Sequence, residues 1–146
     1  MGPGAPDWLP LRAARLIESA AVVAYPTLAG ANSFARAMAA DLIAADAHEL
    51  VRDVPMSIER ASAQAAYDKG AAEIAAALDA GRDVVCLCEG DPFFYGSFMY
   101  LFARLSDRDR VDVVPGVTSI TACADRAGLP LSARNERLAG LPGPLP

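Results

Sequence analysis

In 84-VVCLCEGDPFFYGSFMYLFARL-105 three different signals follow one another without a break. Residues 84–88 are apolar throughout and open on two β-branched valines, the pattern of a strand buried on both faces. The segment 88-CEGDPFFYGS-97 then crowds acidic residues, Gly, Pro and aromatics between two apolar runs, more chemistry than a turn requires. In 97-SFMYLFARL-105, Phe98, Leu101, Phe102 and Leu105 recur at the spacing of one helix face. Strand, loop and helix in that order are half of a parallel βαβ unit.

The same alternation extends in both directions. Upstream, 7-DWLPLRAARLIESA-20 reads as a helix with Leu9, Ala13, Leu16, Ile17 and Ala20 on one side, Asp7 as its cap and Pro10 in its first turn. The run 21-AVVAY-25 reads as a short buried strand ending at Pro26, and 26-PTLAGANS-33 as a loop. A helix is expected from about Ser33, with Phe34, Met38, Leu42 and Ala45 on its inner face. The stretch 50-LVRDVPMS-57 is either a short strand or an extended connection. A long helix follows over 59–80, weakened at Gly70 and stopped at Gly81. Downstream, 111-VDVV-114 reads as a strand and 118-TSITACADRA-127 as a helix closed by Gly128. The class is therefore α/β, with a parallel sheet covered on both faces. Residues 1–130 form the domain, and 131–146, rich in Pro, read as the start of a linker, so the chain reads as cut short.

Composition removes several functions. A net charge of −5 argues against a general nucleic-acid or membrane-surface binder, which needs a basic face. Cys86, Cys88 and Cys123 are an odd set. The first two lie in a strand-like run far from the single His48, which favours buried small hydrophobes over a metal site or a disulfide framework. His48 is expected at the surface, on a helix or its exit. The start MGPGAPDW has neither a basic nor an apolar signal region, and no apolar run is long enough to span a bilayer, so the expected location is the cytoplasm.

In an open parallel sheet, ligands bind beyond the carboxyl ends of the strands. Three loops fall there: 26-PTLAGANS-33, 89-EGDPFFYG-96 and 115-PGVTS-119. Asp91 offers a hydrogen-bond acceptor to a ligand, although capping the next helix is the commoner task. Phe93, Phe94 and Tyr95 serve either as core packing beneath the loop or as an apolar wall for a flat ring. Thr118 and Ser119 suit a helix N-cap and would equally bring hydroxyls to a ligand. The triplet 2-GPG-4 suits a tight turn, but such glycine signals are weak alone. No nucleophile–base pair stands out, which favours a transfer reaction governed by positioning.

The order of the motifs says more than any one of them. GPG, 22-VVAYP-26, EGDPFFYGSF, 114-VPGVTS-119 and 134-RNERL-138 together resemble the tetrapyrrole (corrin/porphyrin) methyltransferases, most nearly those acting at C-20 of precorrin-2 in cobalamin biosynthesis. The resemblance implies the N-terminal parallel-sheet domain of that fold, without its first strand before GPG and without the second α/β domain. It implies methyl transfer from S-adenosyl-L-methionine to a carbon of a tetrapyrrole substrate, and a homodimer for the full-length form. By motif match Pro3 belongs to the first cofactor loop, Glu89, Gly90 and Asp91 with Phe94 to the second, and Thr118 and Ser119 to the third. Arg12, Arg15, Arg52 and Arg134 are candidates for substrate carboxylates. No catalytic acid or base and no metal ligand is expected. Three other readings stand beside this one: methylation at another tetrapyrrole position, a non-catalytic fragment that binds a ligand or partner, and an unrelated nucleotide-binding module. The last would need a phosphate-loop lysine motif, which this sequence lacks.

Overall fold

The computed structural model describes residues 1–28, 31–54 and 60–140, the side chains of 28, 54 and 60–62 excepted. Its centre is a parallel sheet of β1 (Val22–Leu28), β2 (His48–Val54) and β3 (Val84–Cys86), in the order β2-β1-β3. Val22 faces His48 on one side and Val84 on the other. Around it lie α1 (Leu11–Glu18), α2 (Phe34–Met38), α3 (Arg60–Asp79), α4 (Phe98–Leu105) and α5 (Ser119–Ala127).

Strand alternation sends successive side chains to opposite layers. Val23, Tyr25 and Leu87 pack with Ile17 of α1 and with Ala35, Met38 and Ala39. Ala24 packs on the other face with Tyr67, Ala71 and Ile74 of α3 and with Leu101 and Leu105 of α4. Val22, Val23, Ala24 and Leu101 are fully excluded from solvent. The sheet is thus covered on both faces, as the apolar run 84–88 requires.

Several elements differ from the sequence reading. Asp7 caps no helix: it lies in a separate 3-10 turn over Pro6–Trp8, and α1 begins after Pro10, which occupies the cap position without a side-chain bond. β1 does not stop at Pro26 but continues to Leu28, so much of the expected loop 26–33 is strand. The register explains the tolerance. Leu87 N–H donates to the Ala24 carbonyl and His48 N–H to the Ala21 carbonyl, so even-numbered residues of β1 face β3 and odd-numbered ones face β2. The missing N–H of Pro26 points to the β3 side, where pairing has already ended at Ala24–Cys86.

The helix after Ser33 is short, and its buried residues are Ala35 and Met38 while Phe34 is exposed. Small Ala35 and Ala39 let this short turn of helix lie close against the sheet. The ambiguous stretch after Ala47 is strand β2, which His48 opens as an exposed residue, not on a helix. Residues 111–114 form no strand: among the described residues, none pairs with them in the sheet. Gly81 and Gly128 terminate α3 and α5 with φ of 74° and 66°. Residues 129–140 are exposed and carry neither helix nor strand.

Candidate functional site

Three chain segments meet beyond the carboxyl end of β3. The Met1 amine donates to the carbonyls of Cys88 (3.1 Å) and Gly90 (2.8 Å). Gly90 N–H in turn donates to the Gly2 carbonyl at 3.3 Å. Gly116 N–H donates to Asp91 Oδ2 at 2.9 Å, tying the third loop to the second. The contact is close: a Cβ on Gly116 would stand 2.1 Å from the Gly90 oxygen and 2.3 Å from the Met1 oxygen. Gly90 has φ of 61° and lies against Val117 and Thr118. Glycine is required at both positions, at one for its backbone conformation and at the other for space.

Within this junction the expected residues take distinct parts. Pro3 is half-buried in the first segment. Asp91 clasps the loops, its Oδ1 accepting from Phe93 N–H at 2.9 Å while Oδ2 holds Gly116. The Gly116 hydrogen bond, opposed by burial and aided by Phe93, holds its carboxyl below the usual range. Thr118 caps α5, accepting from Thr121 N–H at 3.4 Å, and Ser119 is the exposed first residue of that helix. Glu89 is exposed, and Phe94 is exposed with its ring edge-on to Tyr95 at 4.9 Å. Phe93 belongs to the helix instead, packing on Phe98 and Phe102.

A pocket of about 390 Å³ opens beside the junction, between the end of β1 and the second loop. Glu89 lines it, with Thr27, Asn32, Phe34, Tyr95 and Ser97. Of the expected site residues only Glu89 reaches this pocket; Pro3, Gly90, Asp91, Phe94, Thr118 and Ser119 do not line it. Tyr95, one of the three aromatics offered as a wall for a flat ring, lines it, whereas Thr27, Asn32, Phe34 and Ser97 were missed in the sequence, although they fall in or beside the loops placed at that edge. Phe34 is also the nearest atom set to Gly4, at 3.7 Å from its would-be Cβ, so the pocket abuts the first segment. Tyr95, which lines the opening and is 62% exposed, holds φ of 53°, uncommon for a bulky residue.

The pocket wall is braced from behind. Arg36 binds Glu49 with two bonds of 2.9 Å, and Tyr25 Oη donates to Glu49 Oε2 at 2.6 Å. These bonds fix α2, and with it Ser33 and Phe34, against β1 and β2. Hydrogen bonds from Arg36 and then Tyr25 pull the Glu49 carboxyl down to about 2.

The arginines divide. Arg12 is exposed and paired with Asp112. Arg52 is buried between the sheet and α3, its aliphatic stem against Gly70. Neither lines the pocket. Cys88 is buried and Cys86 half-buried; burial pushes the Cys86 thiol up to about 11 and raises that of Cys88, so both sit as neutral packing groups. Among the described residues no helix is long and apolar enough to cross a membrane.

A family model described as tetrapyrrole (corrin/porphyrin) methylases matches residues 1–145. The precorrin-2 C(20)-methyltransferase of a Sinorhizobium species is 39% identical over 150 residues, covering 97% of this chain and 61% of that protein. The cobalt-precorrin-2 C(20)-methyltransferase of Salmonella typhimurium is 32% identical over 139 residues, covering 94% of this chain and 59% of that protein. The chain thus spans about three fifths of the length of these two relatives. The structure of uroporphyrin-III C-methyl transferase from Thermus thermophilus complexed with S-adenyl homocysteine is similar with a TM-score of 0.59 and 29% identity, over 92% of this chain and 48% of that one.

Proposed function

The chain belongs to the tetrapyrrole (corrin/porphyrin) methylase family, and from that premise we propose that it carries the methyl-donor half of a methyltransferase acting at C-20 of precorrin-2 or its cobalt form. The observation that carries this reading is the junction of the segments around Gly2, Gly90 and Gly116 at the carboxyl end of the sheet, beside a pocket of about 390 Å³. The relatives named for C-20 methylation support the ring position.

The pocket fits S-adenosyl-L-methionine in its donor set. Glu89 brings one exposed carboxylate to a wall that also carries the hydroxyls of Thr27, Ser33 and Ser97, the Asn32 amide and the exposed rings of Phe34 and Tyr95. A carboxylate suits ribose hydroxyls and a positive charge, and the rings of Phe34 and Tyr95 suit a flat base. When bound, the sulfonium supplies an electrophilic methyl group that an electron-rich ring carbon attacks. The chain's own contribution is geometric. Asp91 locks the second loop to the third, Gly90 and Gly116 let the segments touch, and Thr118 sets the start of α5. Rigid alignment of this kind lowers a transfer barrier without an acid–base pair.

Residues 1–130 serve as the cofactor-binding domain and 131–146 as a linker segment, and the enzyme works as a cytoplasmic homodimer. The 146-residue chain by itself transfers methyl groups poorly, because the relatives are substantially longer. A second reading, methylation at another ring position, draws on the 29% identity to the uroporphyrin-III enzyme.

The test is incubation of the chain with S-adenosyl-L-methionine carrying a deuterated methyl group and precorrin-2, followed by mass and NMR analysis of product. Slow transfer to C-20 is the expected result. Label at another carbon assigns the second reading, fast turnover overturns the impaired activity, and absence of both transfer and cofactor binding overturns the proposal.

A further inference from the structure

The end of β1 brings a buried hydroxyl to the pocket wall and fixes the sense of its hydrogen bonding. Thr27 lines the pocket and is only 9% exposed. In the register of β1 with β2 it stands beside Asp53, and its Oγ1 donates to Asp53 Oδ1. By strand alternation both side chains leave the sheet on the α2 face, where Val23 and Tyr25 pack. Asp53 is itself exposed and does not line the pocket, so it reaches a ligand there only through Thr27.

A hydroxyl has one proton and two lone pairs. With its proton committed to a carboxylate, Thr27 offers the pocket only an acceptor. The β-branched side chain restricts χ1, so little freedom is lost in holding that orientation. The charge on Asp53 polarises the O–H bond and makes Oγ1 a stronger acceptor. Glu89 is the other group on the wall whose carboxylate only accepts, whereas Asn32, Ser33 and Ser97 can give or take. None of the described lining residues carries a positive charge. The wall is weighted toward acceptors, and its ligand must bring the donors.

We propose that Thr27 Oγ1 accepts a hydrogen bond from an N–H or O–H group of the methyl donor, and that Asp53 is the positioning residue that holds the hydroxyl in that sense. The inference rests on the methyl-donor reading of the pocket and adds to it a residue pair and the polarity of the group they recognise. In S-adenosyl-L-methionine the groups that qualify are the ammonium, the ribose hydroxyls and the adenine amine.

The experiment is calorimetry with S-adenosylhomocysteine on the native chain and its variants, each first shown folded by a thermal melt. Thr27→Val keeps the side-chain shape and the strand preference, and the carboxylate it leaves behind is already in water. It is expected to bind about fivefold to tenfold more weakly, and Thr27→Ser to recover most of that loss. Asp53→Asn can turn an amide donor toward Oγ1 and release the hydroxyl proton toward the ligand. It is expected to weaken binding about threefold to fivefold alone and to have no further effect beside Thr27→Val. A merely structural Asp53 would weaken binding equally in both backgrounds, which overturns its positioning role. The donor group is located with 5′-methylthioadenosine, which lacks the ammonium, and S-inosylhomocysteine, which lacks the adenine amine. The Thr27→Val loss vanishes for the analogue without the group that Thr27 holds, and persists for both if that group is a ribose hydroxyl. Unchanged affinity in Thr27→Val overturns the inference. Weaker binding by Glu89→Gln would then leave the methyl-donor reading standing, whereas no binding by the native chain overturns both.

Discussion

Replacing Gly116 by Ala places a methyl group at the tightest point of the loop junction. Its carbon would start 2.1 Å from the Gly90 oxygen, where ordinary contact begins at 3.4 Å, so one loop must retreat by about 1.3 Å. Both neighbours are backbone, the Met1 oxygen at 2.3 Å being the second, so no side chain can swing away to relieve the clash. A retreat of that size stretches the 2.9 Å bond from Gly116 N–H to Asp91 beyond hydrogen-bond range. Overpacking and loss of one charge-assisted bond together give about 2–3 kcal/mol of destabilisation. For a domain of this size that is a fall of roughly 5–10 °C in Tm. On the proposed cofactor site the effect is indirect: the displaced loop adjoins the second loop, whose Glu89 lines the pocket, and a misplacement near 1 Å there should cost on the order of tenfold or more. Urea unfolding and calorimetry with S-adenosylhomocysteine measure the two effects. A Gly116→Ala chain with unchanged midpoint and unchanged affinity refutes the close three-way contact.

Other expectations follow from the same geometry. Glu49 has a folded pKa of about 2 against an ordinary 4.5, so its contribution is complete above about pH 4.5 and is lost as pH falls toward 2. After allowance for solvent screening, Glu49→Gln should cost about 1–2 kcal/mol at pH 7 and much less near pH 2, read from urea midpoints at both; a pH-independent cost would contradict the ion-pair assignment. Thr118→Ala removes the α5 cap and should cost about 1 kcal/mol, with Thr118→Ser restoring most of it in thermal melts. Gly70→Ala sets a Cβ 2.8 Å from Arg52 Cδ, so it should destabilise alone yet stabilise by up to about 1 kcal/mol in an Arg52→Ala background, where the helix preference for Ala acts unopposed. Additive free energies in that double-mutant cycle would show that the two residues do not touch.

The long periodic elements were readable in the sequence because burial on one face leaves a pattern in the chain itself. Helix α4, with Leu101 and Leu105 inside, and β3 with its covered faces are examples. What could not be read depended on a neighbour. Pro26 reads as the end of a strand until the register shows that its missing N–H faces an unpaired side. Residues 111–114 have the composition of a strand, but a strand exists only by pairing, and among the described residues none pairs with them. The site behaves in the same way. Glu89, Gly90 and Asp91 stand out as a loop at the sheet edge, whereas the role of Asp91 as a clasp is fixed by Gly116, which is remote in sequence. Thr27, Asn32 and Phe34 carry no motif, and only the folded pocket brings them together with Tyr95.

Chemical-shift mapping during titration with S-adenosylhomocysteine tests most directly whether the three segments form one methyl-donor site. Saturable shifts, even at weak affinity, should gather at Gly2, Glu89, Gly90, Gly116 and Thr118 and at the pocket residues Asn32 and Tyr95. Shifts confined to the α3–α4 face, or none up to the solubility limit of the ligand, would contradict it.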